Sequence, residues 1–179
     1  MPNDESLGFA RDKCRIKEGI RAVFLDRDGV LNEKLEGWYV TKWEEFKWLP
    51  GAIEGIKLLN DRKIPVYLIS NQSGIGRGHM TMKDLEAVHK KMSEELEAKG
   101  AHIDDIFVCP HAPDENCGCR KPKPGLLFQA KKKHPEIDFT GSLFIGDSGT
   151  DEEAAKGAGV RFYLIKKGES LKEILLNEI

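Results

Sequence analysis

Long apolar runs are missing from this 179-residue chain, and so is any surplus of charge. A bilayer-spanning helix needs about 20 consecutive apolar residues; no run here approaches that, so no membrane partner is expected. The formal net charge is -2, which gives no basic field for a nucleic-acid backbone. Residues 1–19 carry Asp4, Glu5, Arg11, Asp12, Lys13 and Glu18 and lack the apolar core of a signal peptide, which points to a cytoplasmic protein. Internal repeats and low-complexity segments are absent too. Cysteine is scarce: Cys14 stands alone, while Cys109, Cys117 and Cys119 lie close together. In a cytosolic chain such a cluster more often serves a metal than a disulfide.

What remains is an ordinary globular composition, 40% hydrophobic and 32% charged. The length suits one domain with a buried core, taken as residues 20–179 behind an N-terminal arm, residues 1–19. No long apolar stripe is left over for a partner, so a monomer is expected.

Strand and helix patterns alternate. Ala22-Val23-Phe24-Leu25 reads as a buried strand. Pro50-Gly51 opens a helical stretch ending near Asn60-Asp61, and a second strand covers Pro65 to Ile69. Thr81 to Lys99 is the clearest helix: Thr81 and Asp84 suggest an N-terminal cap, and Leu85, Val88, Met92 and Leu96 share a face. A short strand, Ile106 to Val108, precedes the cysteines. A helix over Gly125 to Lys133, a strand over Leu143 to Ile145, a helix over Thr150 to Ala158 and a strand over Arg161 to Leu164 follow. Ser170 with Glu173 is expected to cap a last helix. The alternation implies βαβ units around a mainly parallel sheet, an α/β, three-layer Rossmann-like fold, with ligands beyond the carboxyl ends of the strands.

Four strand ends carry polar groups. Asp26-Arg27-Asp28-Gly29 follows the first strand, and alternation along an extended backbone would aim both carboxylates one way and Arg27 another. Ser70-Asn71-Gln72-Ser73-Gly74 follows the second strand and can hydrogen-bond phosphate oxygens, though it also reads as a turn. In Arg120-Lys121-Pro122-Lys123-Pro124-Gly125 the prolines are expected to hold an extended backbone that fixes a cation; either lysine could be that cation. Gly146-Asp147 ends a fourth strand, where a divalent ion could bridge Asp147 and Asp28; Asp151 lies one helical turn on, within reach of the same site and equally suited to capping.

Cys109, His111, Cys117 and Cys119 offer three thiolates and an imidazole, the ligand inventory of a closed zinc site; buried thiols beside a surface histidine are the alternative. The other histidines, His79, His89, His102 and His134, have no partner pattern that suggests acid–base work. Trp38, Trp43 and Trp48 cluster in one region, as core or as a wall beside a substrate.

The order Asp26-x-Asp28, Ser70, Lys121, Gly146-Asp147 resembles the four motifs of the haloacid dehalogenase superfamily of phosphatases, over about residues 21 to 165. The strings Phe24-Leu25-Asp26-Arg27-Asp28-Gly29, Ser70-Asn71-Gln72-Ser73-Gly74-Ile75-Gly76-Arg77-Gly78, Cys109-Pro110-His111 and Cys117-Gly118-Cys119-Arg120-Lys121-Pro122 resemble its heptose-bisphosphate phosphatase and histidinol-phosphatase branch. The resemblance implies Asp26 as nucleophile and Asp28 as acid and then base. It further implies Ser70 and Lys121 on the phosphoryl oxygens, with Lys121 favoured over Lys123. Mg²⁺ would be held by Asp26, the Asp28 carbonyl and Asp147. It implies substrate contacts from Arg120, and Trp38 and Tyr39 are expected near the leaving group with Asn71, Gln72 and Ser73 opposite. Structural Zn²⁺ on Cys109, His111, Cys117 and Cys119 and a capless, open site complete the expectation. The implied partner is a small-molecule sugar phosphate. Histidinol phosphate, a 3′-phosphorylated polynucleotide, and a zinc-stabilised binding module without activity are the competing readings.

Overall fold

The computed structural model describes residues 19–179. Cys14 and nearly all of the arm expected over residues 1–19 lie outside the described residues.

Five parallel strands make one sheet: β1 (Ala22–Leu25), β2 (Val66–Asn71), β3 (Asp105–Cys109), β4 (Ser142–Gly146) and β5 (Arg161–Leu164), in the order β3-β2-β1-β4-β5. The sheet is wholly parallel, in line with the expected architecture. Burial explains its composition: β1 and β4 are buried along their full length, so both faces of Ala22-Val23-Phe24-Leu25 are apolar.

Alternation splits those side chains between two layers. Val23, Leu25, Leu68, Leu143 and Ile145 pack with residues of helices α1 (Ala52–Asp61), α2 (Met82–Ala98) and α5 (Leu171–Glu178). Ala22, Phe24, Tyr67, Ile69 and Phe144 face the other way, toward α3 (Gly125–Lys133) and α4 (Gly149–Ala158). There Phe24 and Phe144 meet edge to face, 6.4 Å between centroids.

Several local expectations hold, such as the reciprocal Thr81–Asp84 cap of α2 and its buried stripe Leu85, Val88, Met92, Leu96. Others are corrected. β2 begins at Val66 and runs through Ser70 and Asn71, because β3 extends from Asp105 to Cys109 and pairs with it to the end. Ser70 is therefore a strand residue. Ser170 makes no side-chain cap on α5. The three tryptophans divide: Trp43 and Trp48 pack against the first core, bracketing Phe46 at 4.8 and 5.0 Å, whereas Trp38 stands 51% exposed.

The chain builds β1, β2 and β3 outward in one direction, then returns to place β4 on the other side of β1. That reversal opens a crevice beyond the carboxyl ends of β1 and β4. Leu25 pairs with Ile145, and the Asp26 N–H donates to the Ile145 carbonyl at 3.0 Å. Asp26 and Asp147 thus emerge side by side.

Candidate active site

Asp26, at the tip of the central strand, is buried, and its Oδ1 lies 2.8 Å from the Lys121 Nζ. Lys121 is itself buried at 3% exposure; its ammonium also donates to the Ile69 carbonyl at 2.8 Å and pairs with Asp151 Oδ1 at 2.5 Å. Burying an ammonium is costly unless it is paired and fully hydrogen-bonded, and these three oxygens supply that. Burial, helped by the charges of Asp151 and Asp28 and opposed by Lys121, raises the Asp26 carboxyl to about 7.

Lys121 is held from behind. The Asn71 amide donates to its carbonyl at 3.0 Å and accepts its N–H at 3.1 Å. Asn71 lines the cavity, but both ends of its amide serve Lys121. The segment after Lys121 is a turn, not the expected extended run: the Lys123 N–H donates to the Arg120 carbonyl at 2.9 Å, and the Lys121–Pro122 peptide is cis. This turn carries Lys123 away from the cavity, where its ammonium donates to the carbonyls of Asn116 and Cys117. Of the two lysines, Lys121 is the one that reaches Asp26.

Asp28 corrects the alternation argument. The chain leaves the strand at Asp26, so Arg27 turns back onto its neighbour. Arg27 Nη2 lies 3.0 and 3.1 Å from the two Asp28 oxygens. Asn32 donates to Asp28 Oδ1 at 3.0 Å, and Gln72 donates to Oδ2 at 3.0 Å while reaching Ser70 Oγ at 2.7 Å. Burial pushes the Asp28 carboxyl up, but the Arg27 charge and these hydrogen bonds outweigh it and hold it below its ordinary value.

The carboxylates that gather are Asp26, Asp147 and Asp151, with ligand oxygens within 4.8 Å of one another; the Asp28 carboxylate does not join them. Asp151 takes the Ser148 N–H and hydroxyl on Oδ2, so it both caps α4 and braces Lys121. Asp147 Oδ1 is buried with no hydrogen-bond partner. An unpartnered buried carboxylate oxygen beside two further carboxylates fits a hard divalent cation, which prefers oxygen ligands.

Around Asp26, Asp28, Lys121, Asp147 and Asp151 lies an open cavity of about 250 Å³, lined also by Lys34, Leu35, Trp38, Tyr39, Gln72, Arg120 and Thr150; Ser70 and Ser73 are buried and are not among its lining residues. Arg120 Nη1 is buried without a partner there. The Tyr39 hydroxyl lies 3.3 Å from Ser73 Oγ, and its ring covers Gly74, where a Cβ would come within 2.8 Å. His79 stacks on the Tyr39 ring at 5.7 Å, and Trp38 meets His79 at a tilt, 5.0 Å between centroids. Besides the clamping role of Arg27, two residues of the site escaped sequence reasoning. Lys34 pairs with Asp147 Oδ2 at 2.6 Å, and His89 contacts Arg27 at 3.2 Å. Neither carries a motif signal; the buried spacing Leu85, Val88, Met92 around His89 was the one available hint.

Next to the cavity, the sulfurs of Cys109, Cys117 and Cys119 lie 3.3–3.5 Å from one another. His111 Nδ1 is 3.5 and 3.3 Å from Cys109 and Cys119. Ligands about 2.3 Å from a shared centre at tetrahedral angles lie somewhat under 4 Å apart, so the four donors could hold one metal ion. Burial works against ionising Cys117, yet the Arg120 N–H and the neighbouring thiols bring its pKa down to about 6.

Residues 118–178 match the HAD-hydrolase-like family model. A Mycobacterium bovis protein named D-glycero-alpha-D-manno-heptose-1,7-bisphosphate 7-phosphatase is 41% identical over 74% of this chain and 70% of its own length. The chain belongs to this phosphatase family. A Pseudomonas putida relative named for the beta anomer is 39% identical over 84% of this chain and 85% of its own length. The phosphatase also superposes with a TM-score of 0.78, at 35% identity, on D,D-heptose 1,7-bisphosphate phosphatase from B. bronchiseptica, solved with magnesium and phosphate. That match covers 89% of this chain and 87% of the other. Among the described residues of the phosphatase, no helix is long and apolar enough to cross a membrane.

Proposed function

We propose that this phosphatase removes the 7-phosphate of D-glycero-D-manno-heptose 1,7-bisphosphate through an aspartyl-phosphate intermediate. The observation that carries the reading is the Asp26 carboxylate, buried at the tip of the central strand between the Lys121 ammonium and the unpartnered oxygen of Asp147.

An Asp26 oxygen attacks phosphorus as the bond to the sugar oxygen breaks, and that oxygen takes a proton from Asp28. Water then attacks phosphorus, gives its proton to Asp28, and releases inorganic phosphate and free Asp26. Asp28 starts ionised; the negative charge of a bound phosphate raises its pKa, so substrate binding loads it with the proton it donates. Lys121 and Ser70 hold the phosphoryl oxygens, and Arg120, with its unpartnered Nη1, takes the second phosphate or a ring hydroxyl. Trp38, Tyr39 and Ser73 shape the leaving-group side, while Asn71 and Gln72 keep Lys121 and Asp28 in place. Asp26, the Asp28 carbonyl and Asp147 would hold Mg²⁺, which neutralises charge between carboxylate and phosphate.

Cys109, His111, Cys117 and Cys119 would hold a structural Zn²⁺, four protein donors that leave it an architectural role: bracing the turn that delivers Arg120 and Lys121. The enzyme acts as a cytoplasmic monomer whose partner is the sugar phosphate. Its net charge of -2 disfavours a polynucleotide 3′-phosphate.

Asp26→Asn is expected to abolish hydrolysis while the protein still folds, as circular dichroism would show; retained turnover would remove the nucleophile. In a panel with histidinol phosphate and 3′-phosphorylated DNA, the heptose bisphosphate is expected to give the highest kcat/KM, and preference for another member would overturn the substrate assignment.

A further inference from the structure

His89 lies beside the active site and has no part in the mechanism above. Its place on α2, four residues after Leu85 and three before Met92, puts it in the inward stripe of the helix. Its Nε2 is 3.2 Å from Arg27 Nη1. The Arg27 side chain is fully buried, and its remaining donors, Nε and Nη2, go to the Asp28 carboxylate.

A guanidinium donates and never accepts. His89 Nε2 is therefore the acceptor, and the ring is neutral with its proton on Nδ1. Burial first, and the Arg27 charge second, push the imidazole pKa down to about 3, which agrees. All three guanidinium nitrogens thus have a partner: Nε and Nη2 on Asp28, Nη1 on His89. Without the His89 acceptor, an N–H of a buried cation is left open and the contact that fixes the guanidinium's orientation on Asp28 is lost.

We propose that His89 is a positioning residue for proton transfer: it fixes Arg27, which clamps the Asp28 carboxylate at the angle needed to meet the substrate oxygen. The inference rests on the reading of Asp28 as acid and base. His89 touches neither substrate nor reacting atoms, so its effect belongs in kcat.

The test compares His89→Leu, which has no acceptor, with His89→Gln, which keeps a neutral one, using steady-state kinetics on heptose bisphosphate after thermal melts establish folding. His89→Leu is expected to lower kcat about 10- to 100-fold, the usual scale for a misplaced catalytic group, with KM held within about twofold. His89→Gln is expected to recover kcat to within about threefold of the parent by restoring the acceptor. In an Arg27→Met background His89→Leu should cost nothing further, because the residue it acts through is gone. Parent-like kcat in folded His89→Leu, a loss carried by KM, no recovery with Gln, or a full additional loss in the Arg27→Met background would each overturn the proposal. Should His89→Leu not fold, His89→Phe, which also has no acceptor, is read by the same criteria. Asp28→Asn separates the two levels: inactive Asp28→Asn with parent-like His89→Leu sinks this inference alone, whereas active Asp28→Asn sinks the mechanism beneath it.

Discussion

Gly29 shows how tightly single residues are fitted at this site. Its φ is +92°, a conformation side chains resist, and a Cβ there would stand 2.4 Å from Asp147 Oδ2. Gly29→Ala should therefore displace Asp147 and lower kcat by about tenfold or more, as small misplacements near the chemistry do; steady-state kinetics checks this. Lys34 acts in the opposite sense. Its ammonium neutralises Asp147 at 2.6 Å from a side chain 54% exposed, so it competes with a divalent cation for the same carboxylate. Such exposed pairs are worth up to about 1 kcal/mol, so Lys34→Ala is expected to tighten Mg²⁺ binding up to about fivefold. Titration calorimetry showing equal or weaker binding would contradict the competition. Asp26 and Asp147 were legible in the sequence because each follows an apolar run at a strand's end, whereas Lys121 was separated from Lys123 only by the family resemblance. Arg27, Lys34 and His89 were not legible. Their roles depend on where long side chains turn back, which neither spacing nor periodicity encodes.

Among the elements, β3 and α3 are joined by Asp105, whose Oδ2 lies 2.7 Å from both Lys133 Nζ and His134 Nε2. Burial pushes this carboxyl up, but the hydrogen bonds from Lys133, His134 and the Ile106 N–H outweigh it and hold it below its ordinary value. A lowered carboxyl pKa contributes stability that is present above the unfolded value, about 4, and is lost as pH falls through the folded one. Asp105→Asn should cost about 1 kcal/mol at pH 7 in urea denaturation, and the gap from the parent should close as the pH drops below 4. The helices were read well because α2 and α5 have clean apolar stripes. Strand ends were read poorly: Ser70 and Asn71 are polar, and only pairing with β3 keeps them in the sheet. Ser170 shows the reverse failure, a capping pair in sequence whose hydroxyl goes unused.

The molecule as a whole is a two-sided parallel sheet whose crevice lies where strand order reverses. Alternating strands and helices made the sheet type legible, but the order β3-β2-β1-β4-β5 depends on contacts between distant segments. Metal on the cysteine loop would couple fold to site, since Cys117 and Cys119 lie just before Arg120 and Lys121. Elemental analysis should give about one zinc per chain, and stripping it should raise KM more than it lowers kcat; a zinc-free preparation with parent kinetics and melting would contradict the brace. The central claim is that Asp26 takes the phosphoryl group covalently. Its most direct test is to quench the enzyme with acid during turnover, reduce with borohydride, and map peptides by mass spectrometry. The account predicts homoserine at position 26. Unmodified Asp26 in enzyme that is turning over, or reduction at another carboxylate, would contradict it.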